Sequence, residues 1–197
     1  MITDRDRKII DFIYDIGFSN IKIIGDLFLT NSIYRYDLAR KRLRKILKIG
    51  EYIKSIKNQS TNEVIYIPID SKIKNISIHN LKILDYICEL KLMGADIEEI
   101  KIEPIYNNIK PDACIKFVFN NCRYYQLLEV QCRHAIVDLD RYNSNDVIES
   151  ILKDNDEILP NLIIIQNTNR DYEKLNNTPL NIIQLNLNLD EMAKVLI

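Results

Sequence analysis

The sequence predicts a mixed α and β protein with two domains, of the α+β class with α/β character in the second. Three apolar periodicities of helical type and two strand-like runs fill residues 1–70. Residues 70–79 resemble a connector, and residues 79–197 follow the order α-β-β-β-α-β with a further β-α at the end. The charge divides in the same way. Residues 1–57 contain 13 Lys and Arg against 7 Asp and Glu, whereas the remainder contains 14 against 21.

Composition narrows the class of protein. Hydrophobic residues make up 47% of the chain and charged residues 28%, which is typical of a globular protein and not of a disordered one. No apolar run is long enough to cross a bilayer, and the charged N-terminus lacks a signal core, so we expect a cytoplasmic protein without a membrane partner. The four glycines include no phosphate-binding loop, and the two histidines form no nucleophilic constellation by spacing.

The first domain begins with three predicted helices. A capping box at residues 3–6 starts the first helix, and Gly17 ends it. Ser19 is the expected cap of the second helix. A turn and cap cluster at residues 30–32 precedes the third, which stops at Gly50.

The third helix combines an apolar face with a basic one. Between Arg35 and Lys57 there are nine basic residues and two acidic ones. A cationic face of this length neutralises phosphates and releases counterions, which predicts binding to double-stranded DNA. Side chains near the helix start, including Tyr34, are the candidates for reaching base edges together with Arg40 and Arg44. The candidate DNA contacts are Arg35, Tyr36, Arg40, Lys41, Arg44, Lys45, Lys48, Lys54 and Lys57.

A hairpin follows the three helices. Two strand-like runs, 52–56 and 64–67, flank a polar turn at residues 58–62. Three helices followed by a hairpin predict a winged helix-turn-helix domain over residues 1–70, with Lys54 and Lys57 close to the tip of the wing and against backbone phosphates. Two alternatives remain: the basic residues only solvate a surface helix, or the domain binds a protein partner.

The second domain alternates short strands and helices. Its predicted elements are a helix at 80–93, strands at 97–105, 113–119 and 124–131, a helix at 136–153, strands at 162–165 and 181–187, and a short helix capped by Asp190. Residues 120–121 form the turn of a predicted hairpin.

Two acidic residues lie on neighbouring predicted strands. Alternation puts Glu129, Gln131 and Arg133 on one face of their strand, and it puts Asp112 and Lys116 on one face of the adjacent strand. Two carboxylates that converge in this way can hold a magnesium ion, which can activate water for attack on a phosphodiester. The alternatives are that Asp112 is a turn residue at the strand start and that Glu129 is an acid paired with Arg133 or Lys116.

Here the sequence resembles known families. The α-β-β-β order, with P-D and then E-x-Q, resembles the core of the PD-(D/E)xK nuclease superfamily, and the whole chain resembles the replication-relaxation family of plasmid and phage proteins. The segments that carry the resemblance are 6–10, 39–43, 110–113, 128–130 and 141–142. The resemblance implies a role in replication, maintenance or transcriptional control of a mobile element, with a replication or partition protein as a possible partner.

The sequence departs from the nuclease pattern at one position. Gln131 stands where the superfamily has a lysine that positions the attacking water and offsets negative charge. Lys116 could supply that charge from the neighbouring strand. We therefore expect a DNA-binding protein whose second domain is non-catalytic, needs no cofactor, and serves dimerisation or partner docking. The alternative is a magnesium-dependent endonuclease that uses Asp112, Glu129, Gln131 and Lys116 and binds the metal through the two acids.

Overall fold

The computed structural model describes residues 2–132 and 136–196, and within them the protein has five α-helices and two β-sheets. The mixed α and β class predicted from the sequence is confirmed. The elements in chain order are α1 (Asp4–Ile16), β1 (Ser19–Asn20), α2 (Ile21–Phe28), α3 (Arg35–Ile49), β2 (Ile53–Lys57), β3 (Val64–Pro68), α4 (Ile78–Leu92), β4 (Asp96–Ile102), β5 (Ala113–Phe119), β6 (Cys122–Gln131), α5 (Asn145–Asp154), β7 (Asn161–Gln166) and β8 (Ile182–Asn186).

The chain divides into two compact units, Met1–Cys88 and Glu89–Ile197, and the division falls within α4. The first unit carries 16 Lys and Arg against 10 Asp and Glu, whereas the second carries 11 against 18. The net charges are therefore +6 and −7, so the asymmetry read from the sequence follows the structural division.

Local signals in the sequence define α1. Thr3 accepts a hydrogen bond from the Asp6 amide at 3.2 Å, and its own amide donates to Asp6 Oδ2 at 2.9 Å, which confirms the capping box. Gly17 ends the helix with a φ of 89°, a left-handed conformation that suits glycine, and its amide donates to the Ile13 carbonyl.

The starts of the next two helices differ from the prediction. Ser19 is a residue of the two-residue strand β1, and Asn20 caps α2 by accepting a hydrogen bond from the Ile23 amide at 2.9 Å. The third helix begins at Arg35, and Tyr34 is its N-cap residue. Ser32 lies in a tight turn before the helix, where its carbonyl accepts a hydrogen bond from the Arg35 amide.

The sheet of the first unit is antiparallel and has the order β1-β3-β2. Ser19 lies opposite Tyr66, and the hairpin β2–β3 pairs Lys57 with Val64 next to its turn. The β1 strand is too short to show a periodicity in the sequence, and it is defined by its pairing with β3.

The sheet of the second unit has the order β4-β5-β6-β7-β8. The first three strands are antiparallel, and β6, β7 and β8 run parallel. Asn120 and Asn121 join β5 to β6 in left-handed conformations, with φ of 50° and 63°, which confirms the predicted two-residue turn.

One face of this sheet carries a core to which α5 and a 3₁₀ helix at Asp140–Tyr142 contribute. The predicted helix at 136–153 was too long, since α5 begins at Asn145. Val137 and Leu139 precede α5 in a segment that is not α-helical, and their side chains are buried in the core.

Candidate functional site

The α3 helix presents a basic face to solvent. Ala39, Leu43 and Ile46 are fully buried, so the opposite side of the helix is the outer one. Five of the basic residues predicted to contact DNA are exposed on α3: Arg40, Lys41, Arg44, Lys45 and Lys48. A cationic surface of this kind attracts a polyanion over a distance of about one Debye length, about 8 Å at physiological salt.

Two arginines of α3 make ion pairs. Arg40 Nη1 lies 2.7 Å from Asp37 Oδ1 one turn earlier, and both side chains remain well exposed. Arg42 is half-buried, and its Nη1 lies 3.6 Å from Oδ2 of the fully buried Asp6 in α1. Arg42 therefore joins α3 to the start of α1.

The start of α3 contains a cluster of polar side chains around Asp26 of α2. Asp26 Oδ1 accepts hydrogen bonds from Arg35 Nε at 2.8 Å and from the Tyr36 hydroxyl at 3.0 Å. The Arg35 guanidinium also lies 4.8 Å from the centre of the Tyr36 ring. Gly25 leaves room for that ring, because an added Cβ would lie 2.6 Å from Tyr36 Cδ1. Arg35 and Tyr36, both predicted to contact DNA, thus hold α3 against α2.

The turn of the β2–β3 hairpin is held by a buried asparagine. Asn58 is completely buried, and its Oδ1 accepts the amides of Ser60 and Thr61 at 2.8 and 3.0 Å. Its Nδ2 donates to the Ile76 carbonyl at 2.6 Å, and the Gln59 amide donates to Asn75 Oδ1 at 3.0 Å. The connector between the hairpin and α4 is therefore bound to the hairpin turn.

The connector also reaches the other end of β2. Lys54 is half-buried, pairs with Ile67, and donates from Nζ to the Ser71 carbonyl at 2.5 Å, so it lies away from the hairpin turn that the sequence prediction assigned to it. Lys57 is exposed beside the turn, as predicted. Lys72 and Lys74 are exposed on the connector and had no predicted role. Nothing in the local sequence pattern signals their position, which depends on the contacts of Asn58 and Lys54.

In the second unit, Asp112 and Glu129 lie on neighbouring chain segments at one end of the β5–β6 pair. The Asp112 amide donates to the Leu128 carbonyl at 3.0 Å, and Asp112 Oδ2 accepts the Val130 amide at 2.7 Å. The register that pairs Ala113 with Leu128 thus extends to put Asp112 opposite Glu129, on one face of the sheet. The sequence predicted this convergence.

Glu129 is buried and makes an ion pair that was not predicted. Its Oε1 accepts hydrogen bonds from Arg141 Nη2 and from the Tyr142 hydroxyl, both in the 3₁₀ helix. The pKa of Glu129 is raised to about 7, because the effect of burial, with a smaller contribution from Asp112, exceeds the opposing effects of Arg141 and Tyr142. Arg141 and Tyr142 were part of the resemblance, but Glu129 is twelve and thirteen residues away from them, and the pairing is defined only by the folded chain. Arg133, the predicted partner of Glu129, lies outside the described residues.

The two remaining residues of the predicted site are Lys116 and Gln131. Lys116 Nζ lies 2.8 Å from Glu99 Oε2 and also donates to the Asp154 carbonyl, and its cross-strand neighbour in β6 is Tyr125. The prediction that Lys116 could replace the missing lysine is therefore not supported, since its ammonium is bound at another part of the sheet. Gln131 is half-buried at the end of β6, opposite Gln166 of β7.

Asp112 and Glu129 are the two acids that the sequence predicts to bind a metal ion. No group of three or more His, Cys, Asp or Glu side chains that could hold a metal ion occurs within residues 2–132 and 136–196. Glu129 directs Oε1 at a guanidinium, a cation that competes with a metal for the same oxygen.

Comparison with protein-family models, curated proteins and solved structures gives no match for this chain. Among the described residues, every helix is too short or too polar to pass through a membrane.

Proposed function

We propose that this chain binds double-stranded DNA through a winged helix-turn-helix domain in its first unit. The observation that carries the proposal is the outer face of α3, where five cations are exposed on one helix. The order α1-β1-α2-α3-β2-β3 with sheet order β1-β3-β2 supports the domain type, in which α3 is the recognition helix and β2–β3 is the wing. Cations on such a helix neutralise phosphates, which favours a duplex over an uncharged partner.

The experiment replaces two recognition-helix cations. Arg40→Ala with Arg44→Ala is expected to abolish duplex binding at moderate salt, measured by fluorescence anisotropy with a labelled duplex. Arg123→Ala with Lys174→Ala makes the same change of charge at exposed positions in the second unit and is expected to bind like the parent. If the first variant binds as the parent does, the recognition-helix assignment is wrong. Failure of the parent to retain DNA at low salt favours a protein partner instead.

For the second unit we propose a PD-(D/E)xK-like domain that no longer cleaves DNA and serves dimerisation or docking of a partner. The sheet order and the meeting of Asp112 with Glu129 support the kinship. The Glu129–Arg141 pair supports loss of catalysis, because the acid that would bind a metal is bound to a guanidinium. Together the two units suit a plasmid or phage protein of the replication-relaxation type, acting in replication, maintenance or transcriptional control.

The second candidate function is a magnesium-dependent endonuclease, and the observation that favours it is the cross-strand position of Asp112 and Glu129. Supercoiled plasmid incubated with the protein and magnesium or manganese is expected to stay intact. Nicking by the parent that disappears in both Asp112→Ala and Glu129→Ala would establish the endonuclease and overturn the non-catalytic proposal.

A further inference from the structure

Besides Tyr36, whose hydroxyl is bound to Asp26, three large apolar or aromatic side chains are exposed around the start of α3. Ile33 is 86% exposed, Tyr34 66% and Leu38 37%. We propose that these side chains contact the C5 methyl groups of thymine in the major groove, so that the protein selects duplexes rich in A·T pairs. This inference rests on the proposed DNA-binding function and names the chemistry that the same helix reads.

The position of the apolar residues supports this role. Tyr34, Leu38, Lys41 and Lys45 follow one another at intervals of four, three and four residues, which places them along one side of the helix. That side faces away from the buried Ala39. A surface that carries cations and apolar groups together fits the major groove, where phosphates flank the base edges and thymine adds a methyl group.

The arginines near the helix start are already bonded within the protein. Arg35 is bound to Asp26 and to the Tyr36 hydroxyl, and Arg40 is bound to Asp37. Reading of guanine by arginine requires a bidentate guanidinium aimed at the base. The local partners of Arg35 and Arg40 therefore weaken guanine readout at this end of the helix and leave apolar contact as the source of discrimination.

The charge of the surroundings argues for DNA as the occupant of this apolar surface. All five exposed basic residues of the recognition helix follow the apolar side chains closely in the chain, since Leu38 lies in α3, Tyr34 is its N-cap residue and Ile33 precedes that residue. The acid nearest to them on the helix, Asp37, is paired with Arg40. A polyanion that also offers methyl groups matches both features, and thymine-containing duplex DNA has both.

The test compares a short alternating dA–dT duplex with the same duplex in which every dT is replaced by dU. Uracil keeps the base pairing and lacks the methyl group. Because burial of one methyl group is worth a factor of about 4 in affinity, we expect the parent protein to prefer the thymine duplex by about 4-fold for each methyl contacted. Binding is measured by fluorescence anisotropy at constant salt.

Alanine variants identify the residues that are responsible for the preference for the thymine duplex. Ile33→Ala with Leu38→Ala is expected to bind both duplexes with nearly equal affinity, and Tyr34→Ala to reduce the preference in part. Ile105→Ala removes a similarly exposed apolar side chain, 74% exposed, from the second unit and is expected to keep the parent ratio. Circular dichroism establishes that each variant has folded.

Each outcome has one meaning. A parent that binds both duplexes equally, while Arg40→Ala with Arg44→Ala still abolishes binding, overturns the thymine inference and leaves the proposed function intact. A thymine preference that survives in the Ile33, Tyr34 and Leu38 variants overturns the residue assignment. A parent that binds neither duplex at low salt overturns the proposed function and the inference with it, and points to a protein partner for the apolar surface.

Discussion

Glu129 shows how one buried acid changes the chemistry expected from a sequence motif. Its pKa is raised to about 7 mainly by burial, against the opposing effect of Arg141. A carboxylic acid with this pKa is partly protonated near neutral pH, and its ionised form is bound to a guanidinium. In either state the group differs from the hydrated carboxylate that coordinates a hard cation.

The raised pKa predicts a pH dependence of stability. The folded state holds the Glu129 proton more tightly than the unfolded state, whose pKa is near 4.5. This contribution to the free energy of unfolding is complete below pH 4.5 and is lost as the pH rises through about 7. The loss is on the order of 3 kcal/mol. The ionisation itself is followed by the carbon-13 shift of the Glu129 carboxyl, with an expected midpoint near pH 7.

Glu129→Gln isolates this effect, because glutamine does not titrate. The parent is expected to lose more unfolding free energy than Glu129→Gln between mildly acidic and neutral pH, while carboxyls with lowered pKa, such as Asp154, contribute to both proteins equally. Glu149→Gln makes the same chemical change at an exposed position of α5 and should behave like the parent. Equal pH slopes for the parent and Glu129→Gln would show that Glu129 titrates normally.

Among the elements of the first unit, the β2–β3 hairpin and the connector that follows it are joined by hydrogen bonds of one buried side chain. Asn58 binds the hairpin turn through Oδ1 and the connector through Nδ2. Asn58→Ala leaves the Ile76 carbonyl and two amides without these partners, which should cost on the order of 2 kcal/mol. Amide hydrogen exchange of Ser60 and Thr61 is expected to accelerate.

Gln59→Ala is the matched control, because Gln59 is exposed and contacts Asn75 through its backbone amide, which the substitution retains. Exchange at Ser60 and Thr61 should stay slow in this variant. If Asn58→Ala exchanges as slowly as Gln59→Ala, the Asn58 side chain does not support the turn.

The sequence predicts the elements whose signals are local. The capping box of α1, the left-handed Gly17 and the Asn120–Asn121 turn are each encoded by adjacent residues, and all three are confirmed. The β1 strand could not be predicted, because two residues show no periodicity and the strand exists only through β3. The excess length of the predicted α5 has a related cause. Val137 and Leu139 are apolar because they are buried in the core, and they do not belong to the apolar face of a helix.

The predictions for the candidate sites also depend on whether the signal is local in the sequence. Helical spacing correctly predicts which cations of α3 are exposed, and strand alternation correctly predicts that Asp112 meets Glu129. The partners that change the chemistry are distant in the chain: Arg141 for Glu129, Asp26 for Arg35, and Ser71 for Lys54. Such contacts depend on the packing of separate segments, for which spacing carries no signal.

For the whole molecule, the charge difference between the two units bears on the proposed binding of DNA. A net charge of +6 on the first unit attracts phosphates, and −7 on the second repels them. A duplex bound by α3 is therefore expected to leave the second unit without DNA contacts, which suits dimerisation or docking of a protein partner.

The exposed cations of α3 predict how the proposed duplex binding depends on salt concentration. If each of the five exposed cations of α3 meets one phosphate, the logarithm of the association constant should fall with the logarithm of salt concentration with a slope of about −4.5. Arg40→Ala alone should reduce the slope by about 1, and Lys72→Ala should do so only if the connector also contacts DNA. Lys174→Ala, an exposed position in the acidic unit, should leave the slope unchanged. Anisotropy titrations over a series of salt concentrations measure all four proteins. A parent slope near zero would mean that duplex binding, if present, does not use the basic face of α3, because neutralisation of phosphates cannot occur without counterion release.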